Sequence, residues 1–125
     1  MKNNSISILL IDDVADNRFL IRSFLKKINL DVVEADCGKK GLELFKENSF
    51  NLVLLDIHMP EMDGYEVAKK IREWEKLNNL PKSTIIAVTA YSWDSNIDSM
   101  QEKGFDLYIS KPIERVKFLE TIQQI

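Results

Sequence analysis

The chain has 125 residues, which suits one domain spanning 1–125 with a core of its own and leaves no room for a second. Its 45% apolar and 30% charged residues exclude wholesale disorder, and a net charge of −3 argues against nucleic acid as a direct ligand, since phosphate binding needs a basic face. No apolar run reaches the ~18 residues of a membrane span, the opening MKNNSISILLIDD meets two acids too soon for a secretory signal, and the single cysteine, Cys37, fits a reducing cytosol, so the expected location is cytoplasmic without membrane contact.

Two kinds of segment alternate along the chain. Short β-branched apolar runs at 6–11, 31–35, 52–55, 84–89 and 107–109 read as buried strands. Between them lie stretches with helical spacing. Residues 17–28 place Leu20, Ile21, Phe24, Leu25 and Ile28 on one stripe, and 39–47 carry Leu42 and Phe45. Residues 65–77 carry Val67, Ile71 and Trp74, the weaker 94–103 carry Ile97 and Met100, and 115–124 carry Val116, Leu119 and Ile122. Gly38, Pro60, Asp63-Gly64, Pro81, Gly104 and Pro112 punctuate the boundaries. The order is (βα)5, which predicts an α/β fold with a doubly wound five-stranded parallel sheet. One strand order for such a sheet is 2-1-3-4-5, with its ligand crevice beyond the carboxyl ends of strands 1 and 3.

The residues at those ends carry chemistry. Strand 1 ends in Asp12-Asp13, strand 3 in Asp56, strand 4 in Thr89-Ala90 and strand 5 in Ser110-Lys111-Pro112. Two carboxylates ~5 Å apart repel by roughly 3 kcal/mol at an effective dielectric near 20. Three such groups need more counter-charge than Lys111 supplies. Carboxylates without a His/Cys cluster suit a hard divalent cation, Mg²⁺ first and Mn²⁺ second. Acids, a cation, a lysine and a hydroxyl together read as phosphoryl-transfer machinery, in which one carboxylate can be the nucleophile.

In LLIDD (9–13), LVLLDIHMPEMDGYE (52–66), IIAVTA (85–90) and GFDLYISKPI (104–113) the chain resembles the receiver domain of two-component response regulators, of CheY-like fold, over essentially its whole length. DDVADNR (12–18) and MPEMDGYEVAKKIR (59–72) resemble receivers of hybrid sensor histidine kinases, many of which have Asn where this chain has Val14. The resemblance implies that Asp56 is the phosphoacceptor for a phosphohistidine on a histidine kinase or histidine phosphotransfer protein. It implies that Asp13, Asp56 and the His58 backbone carbonyl bind Mg²⁺, with Asp12 assisting through a metal-bound water. Lys111 and Thr89 would contact the phosphoryl group, Tyr108 would be the aromatic of the switch, and Pro112 would follow a cis bond. Phosphorylation would reshape the face made by helix 4, strand 5 and helix 5, where a downstream protein docks or a phosphorylation-dependent dimer forms from the monomer. The domain would catalyse its own phosphorylation and slow dephosphorylation without being a turnover enzyme. It would be a single-domain regulator or a receiver excised from a hybrid kinase.

Among single residues, His58 and Tyr91 are expected on opposite rims of the crevice, together setting the lifetime of the phosphoryl group. Trp93 falls in the loop into helix 4, either as an ordinary half-buried aromatic or as a reporter of that loop's movement. Trp74 reads as helix-3 packing, Cys37 as a small buried or half-buried residue near the start of helix 2, and Lys39-Lys40 as a solvated face. Three other classes compete. A haloacid-dehalogenase-type phosphatase would carry a D-x-D motif after strand 1, where this chain has adjacent Asp12-Asp13. A flavodoxin-like carrier would want a glycine- and hydroxyl-rich loop there, and DDVADNR has no glycine. A non-phosphorylated docking module would have no need of the full acidic set.

Overall fold

β-Branched and leucine-rich runs form strands because both faces of a parallel sheet must be covered. The computed structural model describes residues 6–26, 28, 31–90 and 97–123. In chain order the elements are β1 (Ser7–Ile11), α1 (Ala15–Lys26), β2 (Asp31–Ala35), α2 (Gly38–Glu47), β3 (Leu52–Asp56), α3 (Gly64–Leu77), β4 (Thr84–Thr89), α4 (Ile97–Glu102), β5 (Leu107–Ser110) and α5 (Arg115–Gln123). All four strand pairings are parallel, in the order β2-β1-β3-β4-β5. The predicted alternation and topology are therefore present. Among the described residues no helix is long and apolar enough to cross a membrane.

The strand period of two divides the core into two layers. Leu9, Ile11, Val53, Leu55, Ile85 and Ala87 face α2, α3 and α4, meeting Leu42, Phe45, Val67, Ile71 and Met100. Ile8, Leu10, Leu52, Leu54, Ile86 and Ile109 face α1 and α5, meeting Ile21, Leu25, Phe118 and Ile122. Helix α5 departs from the predicted stripe. Val116 is 68% exposed, and the fully buried residue is Phe118, whose ring packs 5.7 Å from that of Phe24. Both registers obey helical spacing, and the larger ring takes the site against α1. The α1 stripe is also narrower than predicted: Ile21 and Leu25 are buried, whereas Leu20 and Ile28 are each 38% exposed. Helix α4 is described from Ile97, so its predicted start at 94 lies outside the described residues, as does the Ile97 side chain. Met100 is buried as expected.

Cys37 is exposed, contrary to expectation. It occupies the N-cap position of α2 with extended backbone, and the helix buries its next residue, Gly38, instead. Trp74 is half-buried against the α3-side core with Lys46 Nζ 5.0 Å from its ring centre, and Lys39 and Lys40 are solvated, as predicted.

Two local features hold the strand ends that matter for function. Asp63 caps α3 by accepting from the Glu66 N–H at 3.0 Å, and Gly64 N–H donates to the Ile57 carbonyl at 2.9 Å. A Cβ on Gly64 would lie 2.6 Å from the Asp56 carbonyl oxygen and 2.7 Å from Ile57 Cα, both backbone atoms. Gly64→Ala is therefore expected to cost about 1–3 kcal/mol in a urea melt, by pushing the end of β3 away from α3. At the opposite end of the sheet Arg72 donates to the carbonyls of Gly104 and Ser83 and pairs with Glu75 and Asp106. The buried Glu75 carboxylate also accepts from the Ser83 N–H and hydroxyl. This network fixes α3 to the starts of β4 and β5, and the apolar patterning gave no sign of it.

Candidate functional site

In the order β2-β1-β3-β4-β5 the chain passes to opposite sides of the sheet after β1 and after β3, which opens a crevice past their carboxyl ends. Asp12 and Asp13 follow β1 directly. The Asp12 N–H donates to the Ala35 carbonyl at 3.1 Å, and its Oδ1 accepts from the Val14 N–H at 2.9 Å, so the turn into α1 closes around this side chain. Asp56 is the last residue of β3 and is 2% exposed. Its neighbour in register is Val88, and Thr89, the next residue of β4, is buried at the same edge. Lys111 leaves β5 with its N–H donating to the Thr89 carbonyl at 2.8 Å, and the Lys111–Pro112 bond is cis. The Lys111 ammonium reaches Asp56 Oδ1 at 3.2 Å. Asp12, Asp13 and Asp56 thus lie together, the Lys111 ammonium reaches Asp56, and Thr89 is buried at the same edge of the sheet.

Each carboxylate oxygen offered by Asp12, Asp13 and Asp56 lies within 4.8 Å of the other two. Burial pushes the Asp56 carboxyl above its ordinary value, opposed by the Lys111 charge and hydrogen bond and by the His58 N–H, and aided by Asp13. Burial raises the Asp12 carboxyl likewise; the Val14 N–H opposes this, and the Asp56 charge adds to it. Asp12 Oδ2 is buried with no hydrogen-bond partner. An orphaned carboxylate oxygen inside an all-oxygen donor set is what a hard divalent cation satisfies, so the residues fit Mg²⁺.

The rim residues are distributed as follows. The His58 side chain is exposed, and its N–H points to Asp56 Oδ1 at 3.4 Å. Tyr108 is half-buried against the α3-side core, in register with Ala87. Tyr91 and Trp93 lie outside the described residues.

Sequence reasoning missed two things here. Arg18, in the first turn of α1, donates to the Asp12 carbonyl at 2.7 Å. Its only sequence signal is its place at the end of DDVADNR. Two apolar side chains near the acid pair in sequence are also open, Val14 in the turn before α1 at 45% and Phe19 on α1 at 75% exposure.

A parallel doubly wound sheet with an acidic cluster, a lysine and a threonine at its switch point defines a phosphoacceptor class of signalling domain. The family described as "Response regulator receiver domain" matches residues 8–123, and the chain belongs to it. The polar-differentiation response regulator DivK of Brucella ovis is 32% identical over 117 residues, covering 94% of this chain and 93% of that protein. Among solved structures, a CheY-like receiver domain protein from Methanospirillum hungatei superposes with a TM-score of 0.82 at 30% identity, covering 97% of this chain and 93% of that one. The Saccharomyces cerevisiae co-crystal structure of the phosphotransfer protein Ypd1 with the Ssk1 receiver domain matches at 0.87 and 26%, covering 96% and 88%. The receiver of the Pseudomonas aeruginosa sensor kinase PA1611, solved with a magnesium ion in its active-site cleft, shares the fold at 0.81 and 24% identity, covering 96% of each chain. The chain is a receiver of two-component phosphorelay signalling.

Proposed function

We propose that Asp56 accepts a phosphoryl group from a phosphohistidine on a histidine kinase or histidine phosphotransfer protein. The observation that carries this is the convergence of Asp12, Asp13, Asp56, Thr89 and Lys111 on one crevice. An Asp56 carboxylate oxygen attacks phosphorus, the P–N bond breaks, and its electron pair returns to the imidazole nitrogen. Lys111, already 3.2 Å from Asp56, follows the charge onto the transferred group, and the Thr89 hydroxyl donates to one of its oxygens. Asp12, Asp13, Asp56 and the His58 carbonyl would hold Mg²⁺, or Mn²⁺ in its place, which when bound offsets charge on the phosphoryl oxygens. His58 and Tyr91 together set the lifetime of the phosphoryl group.

A donor histidine has to come within bonding distance of Asp56. The open Val14, which follows the acid pair directly, and the open Phe19 of α1 suit the apolar contact such a donor needs. Phosphorylation adds charge and acceptor oxygens that draw on Thr89 and Lys111, and with them Tyr108 and the α4–β5–α5 face. A cavity of about 490 Å³ lined by Tyr108, Lys111, Pro112, Glu114, Lys117 and Thr121 lies between β5 and α5, within that face, and supports it as the output surface. The setting of this reaction is the cytoplasm.

The test uses phosphoramidate, whose P–N bond stands in for phosphohistidine. Incubation with Mg²⁺ is expected to give a hydroxylamine-labile acyl phosphate, and chelation of the metal is expected to cut its formation by at least about a hundredfold. A product stable to hydroxylamine, or formation indifferent to chelation, would contradict the reading.

A further inference from the structure

We infer that Arg18 is a positioning residue for cation binding, acting through the backbone of Asp12 and held in place by Glu34; this rests on the metal reading of the acidic site. The chain of contacts is continuous. Leu10 of β1 is in register with Glu34 of β2, and Ile11 with Ala35, so the Glu34 side chain rises beside the β1–α1 turn. Glu34 Oε1 pairs with Arg18 Nε at 3.1 Å, and Glu34 Oε2 pairs with Arg22 one helical turn further along α1. The fork of Arg18 is thus set from one side, and its Nη1 donates to the Asp12 carbonyl at 2.7 Å.

Every other polar group of Asp12 but one is also tied. Its N–H donates to the Ala35 carbonyl, and its Oδ1 accepts from the Val14 N–H. The remaining oxygen, Oδ2, is buried and unpartnered. Fixing the main chain on both sides of Asp12 fixes where that oxygen and the following Asp13 can reach. Without the guanidinium, the turn loses the donor on its carbonyl, and the acid pair samples positions off the common locus with Asp56. Arg18 is only 18% exposed along its side chain, so the bond is shielded from competing water. A planar fork that bonds a carbonyl and a carboxylate together is a task for Arg, and Lys supplies one contact at a time.

Calorimetric titration of Mg²⁺ into metal-free wild type, Arg18→Met, Arg18→Lys and Glu34→Gln tests this. Arg18→Met is expected to raise the Mg²⁺ Kd about five- to tenfold, Glu34→Gln about threefold, and Arg18→Lys less than Arg18→Met. The Mg²⁺ concentration for half-maximal phosphorylation by phosphoramidate should rise by the same factors, and the Val14 amide resonance should move in step. A purely structural role would lower the melting temperature and leave Kd where it was. Wild type that binds Mg²⁺ with Arg18→Met and Glu34→Gln both within twofold of it would overturn the proposal. If Arg18→Met fails to fold, Glu34→Gln and Arg18→Lys decide by the same criterion. Wild type that does not bind Mg²⁺ would overturn the metal reading itself, and the proposal with it.

Discussion

Asp56→Asn is expected to lower acyl-phosphate formation by at least about a thousandfold under conditions where the wild type is fully modified. An amide oxygen is a poor nucleophile and carries no negative charge for Lys111 or a cation to steer. The replacement is close to isosteric, and Asn Oδ1 can still accept from Lys111 and the His58 N–H, so the fold should survive. Mass spectrometry after brief exposure to phosphoramidate and Mg²⁺ measures the loss, and circular dichroism confirms the unchanged fold. Residual labelling above a few per cent would mean that Asp12 or Asp13, which share the locus, can substitute as acceptor.

The second large effect has opposite signs in the presence and absence of metal. Asp12→Asn should stabilise the metal-free protein by about 1–2 kcal/mol, raising its melting temperature by several degrees, while weakening Mg²⁺ binding at least about tenfold. Metal-free, the wild type carries a buried Asp12 charge close to that of Asp56, and the Lys111 ammonium offsets only part of it. The amide removes that repulsion and keeps the acceptor for the Val14 N–H. The pH dependence follows from the raised carboxyls. The native state holds these protons more tightly than the unfolded chain, whose value is near 3.8. The penalty is absent below that value, grows as pH climbs from there through the raised native value, and is complete above it. The stability advantage of Asp12→Asn should therefore be greatest at neutral pH and vanish near the unfolded carboxyl value. Urea melts of both proteins in chelator, at neutral and acid pH, measure it. An advantage that grew on acidification would reverse the assigned cause.

Much of this is legible in the amino-acid sequence. The strand runs are short and β-branched, and breakers fall between them, so the alternation and the strand-end position of Asp12, Asp13, Asp56, Thr89 and Lys111 followed from spacing. The resemblance to receiver domains added the roles. The failures have a common physical origin: they concern choices that spacing leaves degenerate. In α5, Val116–Leu119–Ile122 and Phe118–Ile122 both have helical period, and the contact of Phe118 with Phe24 across the α1–α5 interface chose between them. Cys37 is of a residue type that is usually buried, but here it occupies the N-cap position of α2 and is exposed. Arg18, Arg72 and Glu75 look like ordinary charges on amphipathic helices. Their significance lies in partners 6 to 34 residues away, which a local pattern does not reach.

The central claim is that separate strand ends build one Mg²⁺-dependent acceptor around Asp56. Borohydride reduction converts an aspartyl phosphate to homoserine, which peptide mass spectrometry locates in the chain. After reaction with phosphoramidate and Mg²⁺, homoserine is expected at position 56 and nowhere else, and to be missing when chelator is present. Homoserine at 12 or 13, or at 56 to the same extent in chelator, would contradict the account.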